Sequence, residues 1–476
     1  MASDTLTPPP GAIERADLAG RPALVLGLGR FSGGVETVRW LTALGGRVTV
    51  SDAAPRETLL ESLRQIEGSG AEAVFGPQTP ALLDRLPPGG FVVASPAVPF
   101  DHPLLVEAAR RGVPVTSEIA LVLARVPCRV LAVTGTKGKS TTSTLLAAMV
   151  AASGVRTHLG GNVGRSLLNE LARMRPQDAV VLELSSFQLH QLSGLRFRPD
   201  VAVVTNLFPD HLDRHGTFDA YGLAKRTILE AQREGDVAVL PAADAALDRL
   251  GFRTTGRARR LLFGAGPLSG PGVAVTADGR LSDGAGGGAD LEGFRLWGAH
   301  NRGNAAAAAA AARAAGATWA EVRAGALSVR ALPHRLEPVH EAGDVLFVDD
   351  SIATTPQSTM AALEAVPRRC VVLVGGKDKG ADPAALLDAL AARARGVVGI
   401  GTTGPALVAA LAARGGPPAV AAAAGADLGP AVRAALSMAR PGDAVLLSPG
   451  YSSLDHFASF AVRGDTFAAA ARAAAR

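Results

Sequence analysis

The sequence predicts an α/β protein built as three consecutive α/β units with parallel sheets. Short runs of β-branched and aliphatic residues alternate with helix-like segments along most of the chain, the pattern of parallel strands joined by crossover helices. Most of these runs end in loops carrying glycine, acidic or amide residues instead of two-residue hairpin turns. At 476 residues the chain exceeds what a single core organises, and its length corresponds to about three domains.

The first unit follows a Pro-rich start. Residues 23–27 read as a buried strand, the loop 27–34 has the sequence GLGRFSGG, residues 35–44 form a helix, and residues 47–51 form a second strand ending at Asp52. This is a Rossmann-like β-loop-α-β unit, in which the loop wraps a diphosphate and the acid takes a nucleoside. Its spacing is GxGxxxGG, not the GxGxxG of the dinucleotide fingerprint, so an NAD site is one reading and another nucleotide the alternative. Residues 91–94 add a strand that ends in SPAVPFDHPLL at the same sheet edge.

In the second unit, residues 117–124 form a short linking helix, residues 130–133 a buried strand, and residues 144–150 an apolar helix. Between strand and helix lie Gly135, Thr136, Gly138, Lys139, Ser140 and Thr141. Glycines let backbone N–H groups close on an anion, the helix N-terminus adds partial positive charge, and the lysine adds a full one. The adjoining hydroxyls suit a phosphate-bound Mg²⁺. The usual P-loop has a glycine five residues before the second one, where this chain has Val133. Further strands at 179–182 and 201–205 end in Glu183 and Asn206, and residues 264–293 read as a hairpin or surface excursion. Residues 304–315, almost all alanine, are helical by propensity. A third unit begins near Pro333, with strands at 345–348, 371–374, 397–400 and 444–447.

Composition excludes several classes. Apolar residues make up 48% and charged residues 19%, ordinary globular values. The 48 basic residues against 43 acidic ones form no block interleaved with aromatics, which argues against a nucleic-acid partner. No apolar run reaches the ~18 residues of a membrane span. The N-terminal MASDTLTPPPG has no basic or apolar signal region, so a cytoplasmic location is expected. Cys128 and Cys370 are expected to be buried free thiols.

Polar clusters at the strand ends carry the chemistry. GGNVG (160–164) sets Asn162 between glycines, and ELSSFQLH opens with Glu183. NLFPDHLDRHG places Asp210, His211 and Asp213 within one turn, with Lys225 on the next helix. Mg²⁺ accepts such a sparse, oxygen-rich set, whereas the HExxH spacing of a zinc protease is absent. Asp210 and Asp213 also suit helix capping. Asn301 and Asn304 share a face at a helix start, suited either to a base or ribose or to capping, and Arg335 sits where it reaches phosphate. Residues 348–358, 375–382 and 446–457 end three strands of the last unit and imply a binding edge.

With GTKGKST, GGNVG, ELSSFQL, DHLDRHG with Lys225, HNRGNA, LPHR, DDSxAT, GGKDKG and SSLDHF in this order, the chain resembles the Mur ligases over nearly its whole length, and most closely the branch that adds glutamate. The resemblance implies a UDP-binding Rossmann-like domain (1–116), a central P-loop-type ATPase domain (117–331) and a Rossmann-like glutamate-binding domain (332–476). It implies ATP-dependent addition of D-glutamate to UDP-N-acetylmuramoyl-L-alanine through an acyl phosphate and a tetrahedral intermediate, by a monomer. It implies ATP contacts at Gly135, Thr136, Gly138, Lys139, Ser140, Thr141, Asn301, Asn304, Arg335 and Asp350. Two Mg²⁺ ions are implied on Ser140, Glu183, His211 and a carbamylated Lys225, with Lys139, Glu183, His211 and Lys225 catalytic. The UDP-linked substrate falls to Gly29, Arg30, Ser32, Asp52, Asn162 and Ser186, and glutamate to Thr354, Lys379, Ser453 and Phe460.

The chain departs from the common pattern in three places. Lys137 stands where many relatives have asparagine, Ile352 where many have lysine, and the first glycine loop is longer. The loss of a cation at Ile352 leaves L-glutamate or another amino acid as the alternative substrate. A shared ATP core also raises folylpolyglutamate synthase, against which the N-terminal unit argues. An NAD-binding dehydrogenase leaves residues 135–141 unexplained, and a non-catalytic binding protein leaves the reactive groups without a use.

Overall fold

The architecture is that of a computed structural model describing residues 13, 16–29, 32–163, 166–378, 380–423 and 425–474. Among the described residues, twenty strands form three sheets. β1 (Ala23–Leu26), β2 (Val48–Asp52), β3 (Glu72–Phe75), β4 (Phe91–Ala94) and β5 (Val115–Thr116) run parallel in the order β3-β2-β1-β4-β5. The strand order reverses between β1 and β4, and at such a switch point diverging loops leave a crevice for ligand. Gly27 ends β1 there with φ +94°, and a Cβ on it would lie 2.8 Å from Ser95 Cβ.

The second sheet holds β6 (Arg129–Thr134), β7 (Thr157–Gly161), β8 (Ala179–Glu183), β9 (Val201–Val204), β10 (Val237–Pro241), β11 (Arg259–Ala265), β12 (Gly272–Val275), β13 (Leu281–Ser282) and β14 (Gly288–Ala289). Its order is β14-β13-β12-β11-β10-β9-β6-β8-β7, so β6 lies between β8 and β9 and its loop opens at the switch point. The stretch 264–293 contributes β12, β13 and β14 to this sheet, the last two antiparallel, with Val273, Leu281 and Ala289 buried. Of the two readings the sequence offered, hairpin or surface excursion, the hairpin holds, and it extends the sheet. The helix Ala299–Ala314 begins five residues before the alanine run, and Ala305 to Ala312 are all fully buried.

The third sheet orders β15 (Glu337–Ala342), β16 (Val345–Asp349), β17 (Cys370–Val374), β18 (Gly396–Gly399), β19 (Ala419–Ala421) and β20 (Ala444–Leu447) as β15-β16-β20-β17-β18-β19. All pairs are parallel except the β15–β16 edge. Because β20 inserts between β16 and β17, their three carboxyl-end loops adjoin.

The chain divides into two compact units, Met1–Leu291 with Gly303–Ser328, and Glu292–Arg302 with Val329–Arg476. The first carries the first two sheets and one core cluster shared between them. The second carries the third sheet with an apolar cluster on each face, and Trp297 of its short leading segment packs on one of them. Both cysteines are free; Cys370 is buried as expected, while Cys128 is half-buried.

Candidate active site

The loop after β6 is shaped by contacts that only glycine tolerates. Gly135 has φ +141°, and a Cβ there would lie 1.9 Å from Thr205 Oγ1. Gly138, at φ +82°, caps the helix Lys139–Ala151, and its Cβ would meet Asn304 Oδ1 at 2.4 Å. Asn304 thus lies directly against the loop. Lys139 donates from Nζ to the Thr136 carbonyl across 2.9 Å, folding back over the loop it ends. Thr141 is buried in the first helical turn and Ser140 half-buried beside it. A strand-loop-helix arrangement of this kind can cradle a polyphosphate.

Glu183 ends β8 and is 1% exposed. Asn162 donates from Nδ2 to Glu183 Oε1 (2.8 Å), and its backbone N–H donates to the Glu183 carbonyl (2.8 Å). Glu183 Oε2 is buried and has no hydrogen-bond partner among the described residues. Lys225, on the helix Phe218–Glu230, is also 1% exposed, and its Nζ lies 4.7 Å from the Tyr221 ring centroid. Burial drives its ammonium well below the ordinary lysine value, Lys139 adds to this, and Asp210 and Glu183 oppose it. Tyr221 shares a 3.1 Å hydrogen bond with Thr136 Oγ1, tying the Lys225 helix to the phosphate loop. His211 is exposed, at φ +52°, with its ring 5.0 Å from that of Phe187. The buried Glu183 oxygen without a donor is a ligand of the hard oxygen type that Mg²⁺ takes.

Neither nearby acid caps a helix with its side chain, as the sequence allowed. Asp210 accepts from the His211 N–H (3.0 Å), Asp213 lies inside the turn Leu212–His215, and Thr217 caps the next helix by accepting from Ala220 N.

At the first sheet, Asp52 accepts from Gly29 N (2.8 Å) and Ala54 N (2.9 Å), and Ser62 donates to the Gly29 carbonyl (2.7 Å). The acid holds the glycine loop through Oδ2 and its own following turn through Oδ1. Arg30 lies outside the described residues, as does the side chain of Ser32, which opens the helix Ser32–Ala43. Ser186 is buried and hydrogen-bonds His215 Nε2 at 3.0 Å. Burial, with neighbouring cations, pushes His215 down to about 4. The loop after β4 meets this region directly: Arg214 donates to the Ala97 (2.9 Å) and Val98 (3.2 Å) carbonyls, and Phe100 stacks on His190 with centroids 3.6 Å apart.

In the second unit, Asp350 is buried, accepting from Ser448 Oγ (2.8 Å) and Leu336 N (3.2 Å), and desolvation pushes its carboxyl up to about 7. Arg335 opposes that rise, and its Nε is buried without a hydrogen-bond partner. Asn301 donates to the Trp297 carbonyl (2.8 Å). The fully buried Arg463 donates to Ser351 Oγ (3.0 Å), the Ser351 carbonyl (2.9 Å) and the Tyr451 carbonyl (3.2 Å), drawing the loops after β16 and β20 together. Ser351 in turn donates to the Phe460 carbonyl (2.8 Å). Thr354 and the buried Ser453 lie on these same loops, and Lys379 lies outside the described residues. His334, Glu337 and Asp349 also gather ligand-type atoms, but His334 bonds both acids at 2.8 Å.

Residues 133–312 match the family model described as Mur ligase middle domain, and residues 334–450 match the one described as Mur ligase, glutamate ligase domain. The chain belongs to the Mur ligase family. It is 38% identical over 456 residues to the UDP-N-acetylmuramoylalanine–D-glutamate ligase of Desulfosudis oleivorans, covering 94% of this chain and 95% of that one. The protein of the same name from Frankia casuarinae is 39% identical over 464 residues, covering 96% and 94%. Among solved structures, the fold is similar to UDP-N-acetylmuramate-alanine ligase from Thermotoga maritima (TM-score 0.62, 20% identity, 95% and 99% covered) and to MurF from Acinetobacter baumannii (0.61, 19%, 94% and 93%).

Within this Mur ligase chain, the sequence alone had not singled out Tyr221, Arg214 or Arg463. Tyr221 had a readable signal, since it lies one helical turn before Lys225 and must share its face. The pairing of Arg463 lies beyond local patterning, because its partner Ser351 is 112 residues away.

Proposed function

We propose that this Mur ligase joins D-glutamate to UDP-N-acetylmuramoyl-L-alanine, converting ATP to ADP and phosphate. The observation that carries the reading is the buried cluster of Glu183 and Lys225 against the Lys139 loop, which sets an unpartnered carboxylate oxygen and a desolvated amine beside a phosphate cradle. The names of the relatives support the substrate pair.

The chemistry follows from the reactants. The substrate carboxylate attacks the γ-phosphorus, the β–γ oxygen bridge breaks, and ADP leaves. The glutamate amine adds to the acyl phosphate carbonyl, and the tetrahedral adduct expels phosphate to leave the amide. Positioning and charge neutralisation dominate such transfers, since the protein forms no covalent bond to the phosphoryl group. Lys139 and the helix N-terminus stabilise charge on the transferring group, with Gly135, Thr136, Gly138, Ser140 and Thr141 shaping its seat. Ser140, Glu183 and His211 would hold Mg²⁺, which when bound would neutralise phosphate charge and polarise the acyl oxygen. Burial disfavours the Lys225 ammonium, and addition of CO₂ at Nζ with loss of a proton would give a carbamate that adds a further anionic oxygen ligand for Mg²⁺.

Asn301, Asn304, Arg335 and Asp350 serve ATP in this reading. Gly29, Arg30, Ser32, Asp52, Asn162 and Ser186 serve the UDP-linked substrate, and Thr354, Lys379, Ser453 and Phe460 the glutamate. We place domain boundaries at 116/117 and 331/332, take the enzyme as monomeric, and assign it to the cytoplasm, where ATP and UDP-linked precursors are available. ADP release in the purified protein tests the reading: it is expected only with acceptor, amino acid and ATP together, and ADP release from ATP alone at the same rate contradicts it.

A further inference from the structure

Lys137 is the loop residue that the proposed chemistry leaves unused. Its backbone is immobilised: its N–H donates to Asn206 Oδ1 (2.8 Å), while its carbonyl accepts from Asn206 Nδ2 (3.0 Å) and Thr205 Oγ1 (2.7 Å). One asparagine side chain thus clamps both faces of the residue as a strand partner would. The side chain, by contrast, is 76% exposed and meets only Asp210 Oδ2, at 3.6 Å, as its ion-pair partner among the described residues. An exposed pair of this geometry is weak and readily exchanged.

The location of that partner gives the exchange a direction. Asp210 adjoins His211 and contributes to the electrostatic environment of buried Lys225. Lys139, the other loop lysine, folds inward onto the Thr136 carbonyl. The two cations are therefore disposed differently, Lys139 folded onto the loop and Lys137 extended into solvent beside Asp210. A triphosphate carries more charge than one carboxylate and draws an exposed ammonium away from it.

We propose that Lys137 is a second phosphate contact, held on Asp210 in the free enzyme and transferred to the terminal phosphoryl group of the bound nucleotide. The proposal rests on the ATP-dependent reading above and names a residue of the same site. It predicts a selective effect on the third phosphate, which a loosened loop would not produce.

Calorimetric titration with Mg²⁺ and either ADP or the β,γ-imido analogue of ATP, without acceptor or amino acid, tests it. Wild-type binding is measured first, and binding of neither nucleotide overturns the ATP reading itself together with this assignment. If the wild type binds, Lys137→Asn is expected to weaken the imido analogue by about tenfold while ADP changes by less than about twofold. Lys137→Arg is expected to restore the analogue's affinity. Equal weakening of both nucleotides, which marks a general loop effect, or no weakening of the analogue, overturns the proposal.

Discussion

Asn162 holds Glu183 at two points, its side-chain amide on Oε1 and its backbone N–H on the main-chain carbonyl, each across 2.8 Å. Gly161 makes this approach possible, since a Cβ there would lie 2.2 Å from the Glu183 carbonyl oxygen. The clamp fixes a buried carboxylate with Oε2 left without a protein donor. Glu183→Gln retains the shape and the amide contact but removes the charge, and is expected to lower kcat by about 10²-fold or more, with a raised Mg²⁺ requirement. Steady-state kinetics over a Mg²⁺ series measure this, and near-wild-type values would remove Glu183 from the metal site.

Lys225→Ala is expected to be inactive and to regain part of its activity in the presence of acetate or another short carboxylate that fits the vacated space. Intact-mass or ¹³C measurements on the wild-type protein in bicarbonate are expected to show one added CO₂. The burial that lowers the Lys225 ammonium below its ordinary value favours the unprotonated amine that this addition needs. Absence of both rescue and adduct would rule out the carbamate while leaving the ligase reaction intact.

Lys139→Ala is expected to abolish turnover without unfolding the protein. Its Nζ donates to the Thr136 carbonyl within a loop whose backbone is held by other residues, so the helix Lys139–Ala151 and its packing are expected to remain. Circular dichroism and Tm report the fold, and product formation reports the loss. Activity within about tenfold of wild type would place the phosphate charge elsewhere.

Gly135→Ala addresses the loop itself. The substitution brings a Cβ into Thr205 Oγ1 and forces a side chain into a backbone region that L-residues avoid, at an expected cost of about 1–3 kcal/mol. Denaturant unfolding checks the magnitude, and an unchanged midpoint would mean that the loop relaxes freely.

Asp350 gives a pH signature. Burial pushes its carboxyl up to about 7 from the ordinary 3.8, so between these limits the folded state binds more protons than the unfolded one. Stability from this group is therefore fully present below about 4 and declines as pH rises through 7. Asp350→Asn is expected to flatten that decline for the second unit while weakening nucleotide binding. A slope unchanged by the substitution would assign the decline to another group.

The sequence carried the strands and loops of the active centre because each is local. The aliphatic run of β6, the glycines after it and the Lys139–Ser140 pair lie within a dozen residues, and the structure places them as strand, loop and helix. What escaped was set by distant partners or weak patterning. β13 and β14 are two-residue strands in a Gly- and Asp-rich stretch, too short for an alternation to register. β15 pairs antiparallel at an edge, with Pro338 and a register shift interrupting its pattern. Ile352, where many relatives have lysine, leaves amino-acid recognition the least legible part of the site. Cys128 falls between a linking helix and a strand, where sequence context does not fix burial.

The most direct test is phosphate release by the purified enzyme with ATP, Mg²⁺ and UDP-N-acetylmuramoyl-L-alanine, surveyed across amino acids. Release with D-glutamate, and little with L-glutamate, L-alanine or meso-diaminopimelate, is the predicted result. Release with one of those three and not with D-glutamate would contradict the account.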